Sequence, residues 1–127
     1  MPTAVLTWRS RRIMIGALFG LAMSTGTCMA HAILVQSQPA AGASVPAGKL
    51  EMSFSYNSRI DRARSRLALS NPDHSLTILK ISPAGPPNAI TASANLTSPG
   101  AYVLRWQVLA VDGHITRGDV PFTVTGQ

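Results

Sequence analysis

Two stretches of the 127-residue chain carry residues that could do chemistry together, His31 near its start and Asp112-Gly113-His114 near its end. Asp112 and His114 lie two apart, directly after the longest strand candidate. In extended backbone, positions i and i+2 project to the same side, so a carboxylate and an imidazole could converge on one ion. The glycine between them allows close backbone approach or a bulge. Alone the triplet is weak, because Asp-Gly is also a common turn. His31 changes that balance. As a mature N-terminus it would offer both its amine and its imidazole. His31, Asp112 and His114 then supply three nitrogens and one oxygen, a tetragonal set that favours Cu(II). All of these ligands must be deprotonated to bind. With ordinary pKa values of about 6.5 for histidine and about 7.7–8.0 for an α-amine, uptake should weaken steeply between about pH 7 and pH 5. His74 lies in the turn Asn71-Pro72-Asp73-His74-Ser75 and reads as a solvated turn residue.

Whether His31 is an N-terminus depends on the segment before it. Residues 1–30 hold Arg9, Arg11 and Arg12 and no acid, followed by an apolar run from Ile13 to Met23 and a small, polar stretch to Ala30. That order matches a secretory signal peptide, and the run is too short to span a bilayer as a mature helix. Ser10-Arg11-Arg12 also resembles a twin-arginine export signal. Cleavage after Ala30 exposes His31; cleavage after Ala32 would discard it. The small-residue rule allows both.

The body, residues 31–127, has eight Lys/Arg against five Asp/Glu, so the net charge falls from +6 to +3. It holds no cysteine, because Cys28 lies in the leader, which excludes a disulfide framework and a Cys-based zinc site. Its length suits one modest core and excludes a multi-domain enzyme. Only Met52 remains of five methionines, and it falls on a core-facing position, so a thioether Cu(I) site is not supported.

The elements that must position these ligands read as all-β. Lys49–Ser55 alternates strictly, with Leu50, Met52 and Phe54 on one face. Arg66–Ser70 and Ser75–Ile81 flank the Asn71 turn. Ala101–Val111 puts Tyr102, Leu104, Trp106 and Val108 on one face, and Asp119–Thr125 turns Val120, Phe122 and Val124 inward. Pro121 places that last strand at an edge or a bulge. Short strands between Pro/Gly turns predict an antiparallel sandwich. No G-x-S-x-G or P-loop pattern occurs, and the five acids form no pair. Arg59, Arg62, Arg64 and Arg66 cluster with Asp61 among them. An exported chain rarely meets nucleic acid, so the reading is a solvated face, with an anionic partner or a membrane surface as the alternative.

Six pieces of sequence occur in one order: His31-Ala32, Ser37-x-Pro39-Ala40-x-Gly42, Met52-Ser53-Phe54-Ser55, Pro99-Gly100-x-Tyr102-Val103-x-x-Trp106, Asp112-Gly113-His114, and Gly118-x-x-x-Phe122-x-Val124. The ordered set resembles the CopC family of periplasmic copper-resistance proteins across residues 31–127. The resemblance implies a Greek-key β-sandwich or barrel of cupredoxin-like or immunoglobulin-like character. It implies cleavage before His31 and one Cu(II) ion per chain, held by His31, Asp112 and His114. It further implies a role in binding and passing copper in the periplasm, beside an inner-membrane copper-transport protein of the CopD type. The leading expectation is a non-catalytic store or carrier, and nothing in the sequence suggests an obligate dimer, so a monomer is expected. Two departures stand out. Tyr56 occupies a position where members often carry glutamate, and the segment from Pro72 to Pro87 lacks the methionines of a Cu(I) loop. Two other readings share parts of the pattern. One is a copper-dependent oxidative enzyme with an N-terminal histidine, and the other is a metal-free immunoglobulin-like envelope module.

Overall fold

The computed structural model describes residues 32–126. The expected leader, residues 1–30 with Cys28, and His31 lie outside the described residues. Eight strands follow in order: β1 (Leu34–Gln38), β2 (Ser44–Pro46), β3 (Gly48–Tyr56), β4 (Ile60–Ser70), β5 (Leu76–Leu79), β6 (Ala89–Leu96), β7 (Gly100–Ala110) and β8 (Ile115–Thr125). They form a three-stranded sheet, β1-β3-β6, and a five-stranded sheet, β2-β8-β7-β4-β5. The chain crosses between the sheets at every connection except the two hairpins β4–β5 and β7–β8. All pairs are antiparallel, as expected, except the short β2 with β8, a parallel pairing. Its cause is local: the chain leaves β1 through the turn at Pro39–Ala43 and runs alongside β8 for only three residues.

Alternation decides which side chains make the core. Met52, Phe54 and Tyr56 of β3 are buried against Leu104, Trp106 and Val108 of β7, with Val120, Phe122 and Val124 of β8 beside them. Each such side chain stabilises the fold by roughly 1.5–3 kcal/mol through removal of apolar surface from water. Tyr102 is buried, stacks on Phe122 at 5.5 Å between ring centroids, and donates its hydroxyl to the Ser98 carbonyl at 2.7 Å. Trp106 pairs in register with Gly118, and a Cβ at that glycine would overlap the indole ring. The strand therefore has no side chain where the largest ring must lie.

Pro121 behaves as expected of an edge. β2 covers only residues 123–125 of β8, and the Pro121 carbonyl accepts the Gly42 amide at 2.7 Å on that outer side. Within an extended residue N and C=O point the same way, so the missing N–H takes nothing from the pairing with β7. Three strands escaped the sequence reading. β6 had a readable signal, since Ile90, Ala92, Ala94 and Leu96 alternate with Thr91, Ser93 and Asn95; alanines make such a face faint. β1 and β2 are short and mostly exposed, so their sequences carry no apolar stripe.

The arginine cluster divides. Arg59, Arg64 and Arg66 are exposed, but Arg62 is not a solvated side chain. The strand register shifts between Asp61 and Arg66, a bulge that redirects Arg62. Its guanidinium donates to the carbonyls of Ala89 (3.1 Å), Pro83 (3.3 Å), Gly85 (2.6 Å) and Pro86. One cation thus fastens the proline-rich segment before β6.

Candidate metal site

Asp112 and His114 come together in the turn between β7 and β8. The Ala110 amide donates to the His114 carbonyl and the Gly113 amide to the Ala110 carbonyl, each at 2.9 Å. Gly113 has φ +91°, a conformation that costs a residue with a Cβ and that glycine adopts freely. The His114 amide donates to Oδ1 of Asp112 at 3.0 Å, so the carboxylate caps the turn. Its other oxygen, Oδ2, stands 3.1 Å from Nδ1 of the His114 ring. Convergence was expected, but its route was not. Sequence spacing suggested extended backbone, whereas a glycine-dependent turn folds the imidazole onto the carboxylate. The two side chains are 42% and 31% exposed for His114 and Asp112, open enough to meet an ion.

The start of the described chain is fastened close by. Ala32 is buried, and its carbonyl accepts the Thr116 hydroxyl at 2.9 Å. Thr116 is two residues beyond His114. The Ile33 amide donates to Oδ1 of Asn57 at 2.8 Å, and the Asn57 amide returns a bond to the Ile33 carbonyl at 3.0 Å. Neither Thr116 nor Asn57 was singled out from sequence, because a strand threonine and a turn asparagine carry no signal for such a role. Among the described residues, no three of His, Cys, Asp or Glu gather in one place; the third predicted ligand, His31, lies outside them.

Tyr56, at the end of β3 and paired with Leu34, is buried within this end of the sandwich. Its ring meets Trp106 edge-on, at 5.3 Å and 68°. Burial pushes its hydroxyl well above the ordinary tyrosine range, so it stays protonated. The hydroxyl has no hydrogen-bond partner among the described residues. His74, by contrast, is exposed in the β4–β5 turn, with φ +67°.

The ordered sequence pieces now have a common frame, and a family profile for the CopC domain matches residues 34–125. The chain belongs to the CopC family. Protein YobA of Escherichia coli K12 is 29% identical over 123 residues, which cover 93% of this chain and 97% of YobA. The crystal structure of CopC from Methylosinus trichosporium OB3b superimposes with a TM-score of 0.69 at 28% identity, over 76% of this chain and 96% of that one. PcoC, a methionine-rich copper resistance protein from Escherichia coli, shares the fold at a TM-score of 0.59 and 22% identity, over 76% of this chain and all of PcoC. Among the described residues of this CopC-family chain, no helix is long and apolar enough to cross a membrane.

Proposed function

We propose that this CopC-family protein is a non-catalytic periplasmic Cu(II) carrier or store, with one ion per chain held by His31, Asp112 and His114. In this reading His31 is the mature N-terminus, after removal of residues 1–30. The copper is cargo, passed to or from an inner-membrane transport protein of the CopD type.

The observation that carries the reading is the 3.1 Å contact between Nδ1 of His114 and Oδ2 of Asp112. Metal–ligand bonds to nitrogen and oxygen of about 2.0–2.1 Å put neighbouring donors at right angles roughly 2.9 Å apart. The pair is thus spaced like two adjacent corners of a tetragonal site. Support for His31 comes from the chain itself. It precedes Ala32 in sequence, and the Ala32 carbonyl is tied to Thr116, two residues beyond His114. A chain fastened at Ala32 beside the strand that follows the Asp112–His114 turn favours a site that draws on the residue before Ala32.

The test is the intact mass of protein recovered from the periplasm, measured natively with and without one equivalent of Cu(II). A chain that begins at His31 and gains one copper supports the site. A chain that begins at Ile33, or one that takes up no copper, overturns it.

A further inference from the structure

The outer face of the five-stranded sheet combines features that the copper reading does not use. Strand register sets its side chains in rows. Arg66, Gln107 and Arg117 lie side by side across β4, β7 and β8. The next row runs Ile78, Ala68, Arg105, Asp119 across β5, β4, β7 and β8. With strands about 4.8 Å apart, the three guanidinium stems start within roughly 10 Å of one another. A shallow groove of about 260 Å³ runs between them, floored by Ala68 and bordered by Ile78.

Two properties distinguish this face. Arg66, Arg105 and Arg117 have no carboxylate within 4.0 Å among the described residues; Arg117 donates only to the Gln107 amide oxygen, at 2.7 Å, and Asp119 forms no ion pair although it stands opposite Arg105. The same face also exposes large apolar side chains, Leu76 (56%) and Ile78 (76%) at the β5 edge and Ile115 (53%) beside His114. Arginines without ion-pair partners among the described residues, set beside exposed aliphatic side chains on one sheet face, suit a partner that is anionic and apolar just beneath its charge. An acidic protein would satisfy the arginines but not the aliphatic edge.

We propose that the outer face of the five-stranded sheet docks onto the phosphate headgroups of an anionic bilayer, with Arg66, Arg105 and Arg117 on the phosphates and Leu76 and Ile78 at the acyl boundary. Guanidinium forks match phosphate oxygens bidentately, and basic residues near a negatively charged leaflet add up in binding. Ile115 continues this face to the Asp112–His114 turn, so docking would hold that turn near the membrane. The inference stands independently of copper, and its failure leaves the metal site untouched.

The experiment is co-sedimentation of the exported, processed protein with vesicles of phosphatidylcholine alone and of phosphatidylcholine containing about one-third phosphatidylglycerol. Binding is expected only to the second, and it should weaken as salt is raised. The triple variant Arg66→Gln/Arg105→Gln/Arg117→Gln should lose about a hundredfold in affinity. Arg105→Gln and Lys49→Gln make the same charge change on opposite sheets, and only the first should weaken binding, by about fivefold. Ile78→Ser should weaken it as well. Surface changes of this kind leave the fold intact, which circular dichroism checks. Equal binding to both vesicle types, or equal effects of Arg105→Gln and Lys49→Gln, would overturn the assignment. So would arginine-dependent binding to soluble polyglutamate without any binding to vesicles, which would identify an acidic macromolecule as the partner.

Discussion

The five-stranded sheet contains two hairpin turns with the same backbone framework and different chemistry. In the β4–β5 turn, Asn71 N donates to Ser75 O, His74 N to Asn71 O, and Ser75 N to Oδ1 of Asp73. In the β7–β8 turn, Ala110 N donates to His114 O, Gly113 N to Ala110 O, and His114 N to Oδ1 of Asp112. The five residues correspond one to one. In both, the third is an aspartate that caps the turn and the fourth takes a positive φ. The difference is where histidine stands. At the fourth position, His74 is exposed, and the Ser75 hydroxyl bonds the carboxylate at 2.5 Å. At the fifth, His114 is folded against Asp112. An aspartate and a histidine in one turn therefore do not make a ligand pair. The histidine must occupy the position that faces the carboxylate, directly after the residue that takes the positive φ.

The sharpest way to break this comparison is to remove each histidine in turn. His114→Ala should lower Cu(II) affinity by on the order of a hundredfold or more, whereas His74→Ala should leave it unchanged in a competition titration. Equal losses would mean that the two turns do not differ as their geometry says. A smaller effect is expected at the bond that fastens the chain start. Thr116→Val deletes the donor to Ala32 and should cost roughly tenfold in copper affinity. Its cost in stability should be about 1–3 kcal/mol, read from denaturant unfolding.

A third experiment tests sufficiency. The double change His74→Gly/Ser75→His rewrites the β4–β5 turn as Asp-Gly-His. It should create a second, weak Cu(II) site, seen as a distinct signal in titration by electron paramagnetic resonance. Affinity equal to the natural site would show that the chain start contributes nothing. The smallest effect concerns Asp73. The Ser75 hydroxyl, with the Ser75 amide, holds its carboxyl below the ordinary value of 3.8. A depressed pKa stabilises the fold above the unfolded value, and that contribution is lost as pH falls through the folded one. Asp73→Asn should therefore lower the melting temperature slightly at neutral pH. The difference from the unsubstituted protein should vanish in strong acid.

Much of this was legible in advance. The alternation in Lys49–Ser55 and Ala101–Val111 gave the core faces of β3 and β7, because large apolar side chains at every second position leave few alternatives. The Asp112–His114 pair was legible as residue types at a fixed spacing. The turn that joins them was not, since Asp-Gly reads equally well as a bare turn. Arg62 was misplaced among solvated arginines because a bulge, not residue type, decides its direction. The tie between Ala32 and Thr116 lay beyond reach for a different reason: it joins residues 84 positions apart, and only the crossing of strands between sheets brings them together.

That separation has a consequence for when the proposed copper site can form. A site fastened at residues 32, 112, 114 and 116 exists only after nearly the whole chain has closed, and pairings as distant as Gly48 with Leu96 are slow to form. A polypeptide threaded through a translocation pore in extended form would pass it empty and load its metal on the far side. Loading would then act as a latch: at a free copper concentration of about 100 times Kd, the ion adds about 2.7 kcal/mol to the folded state.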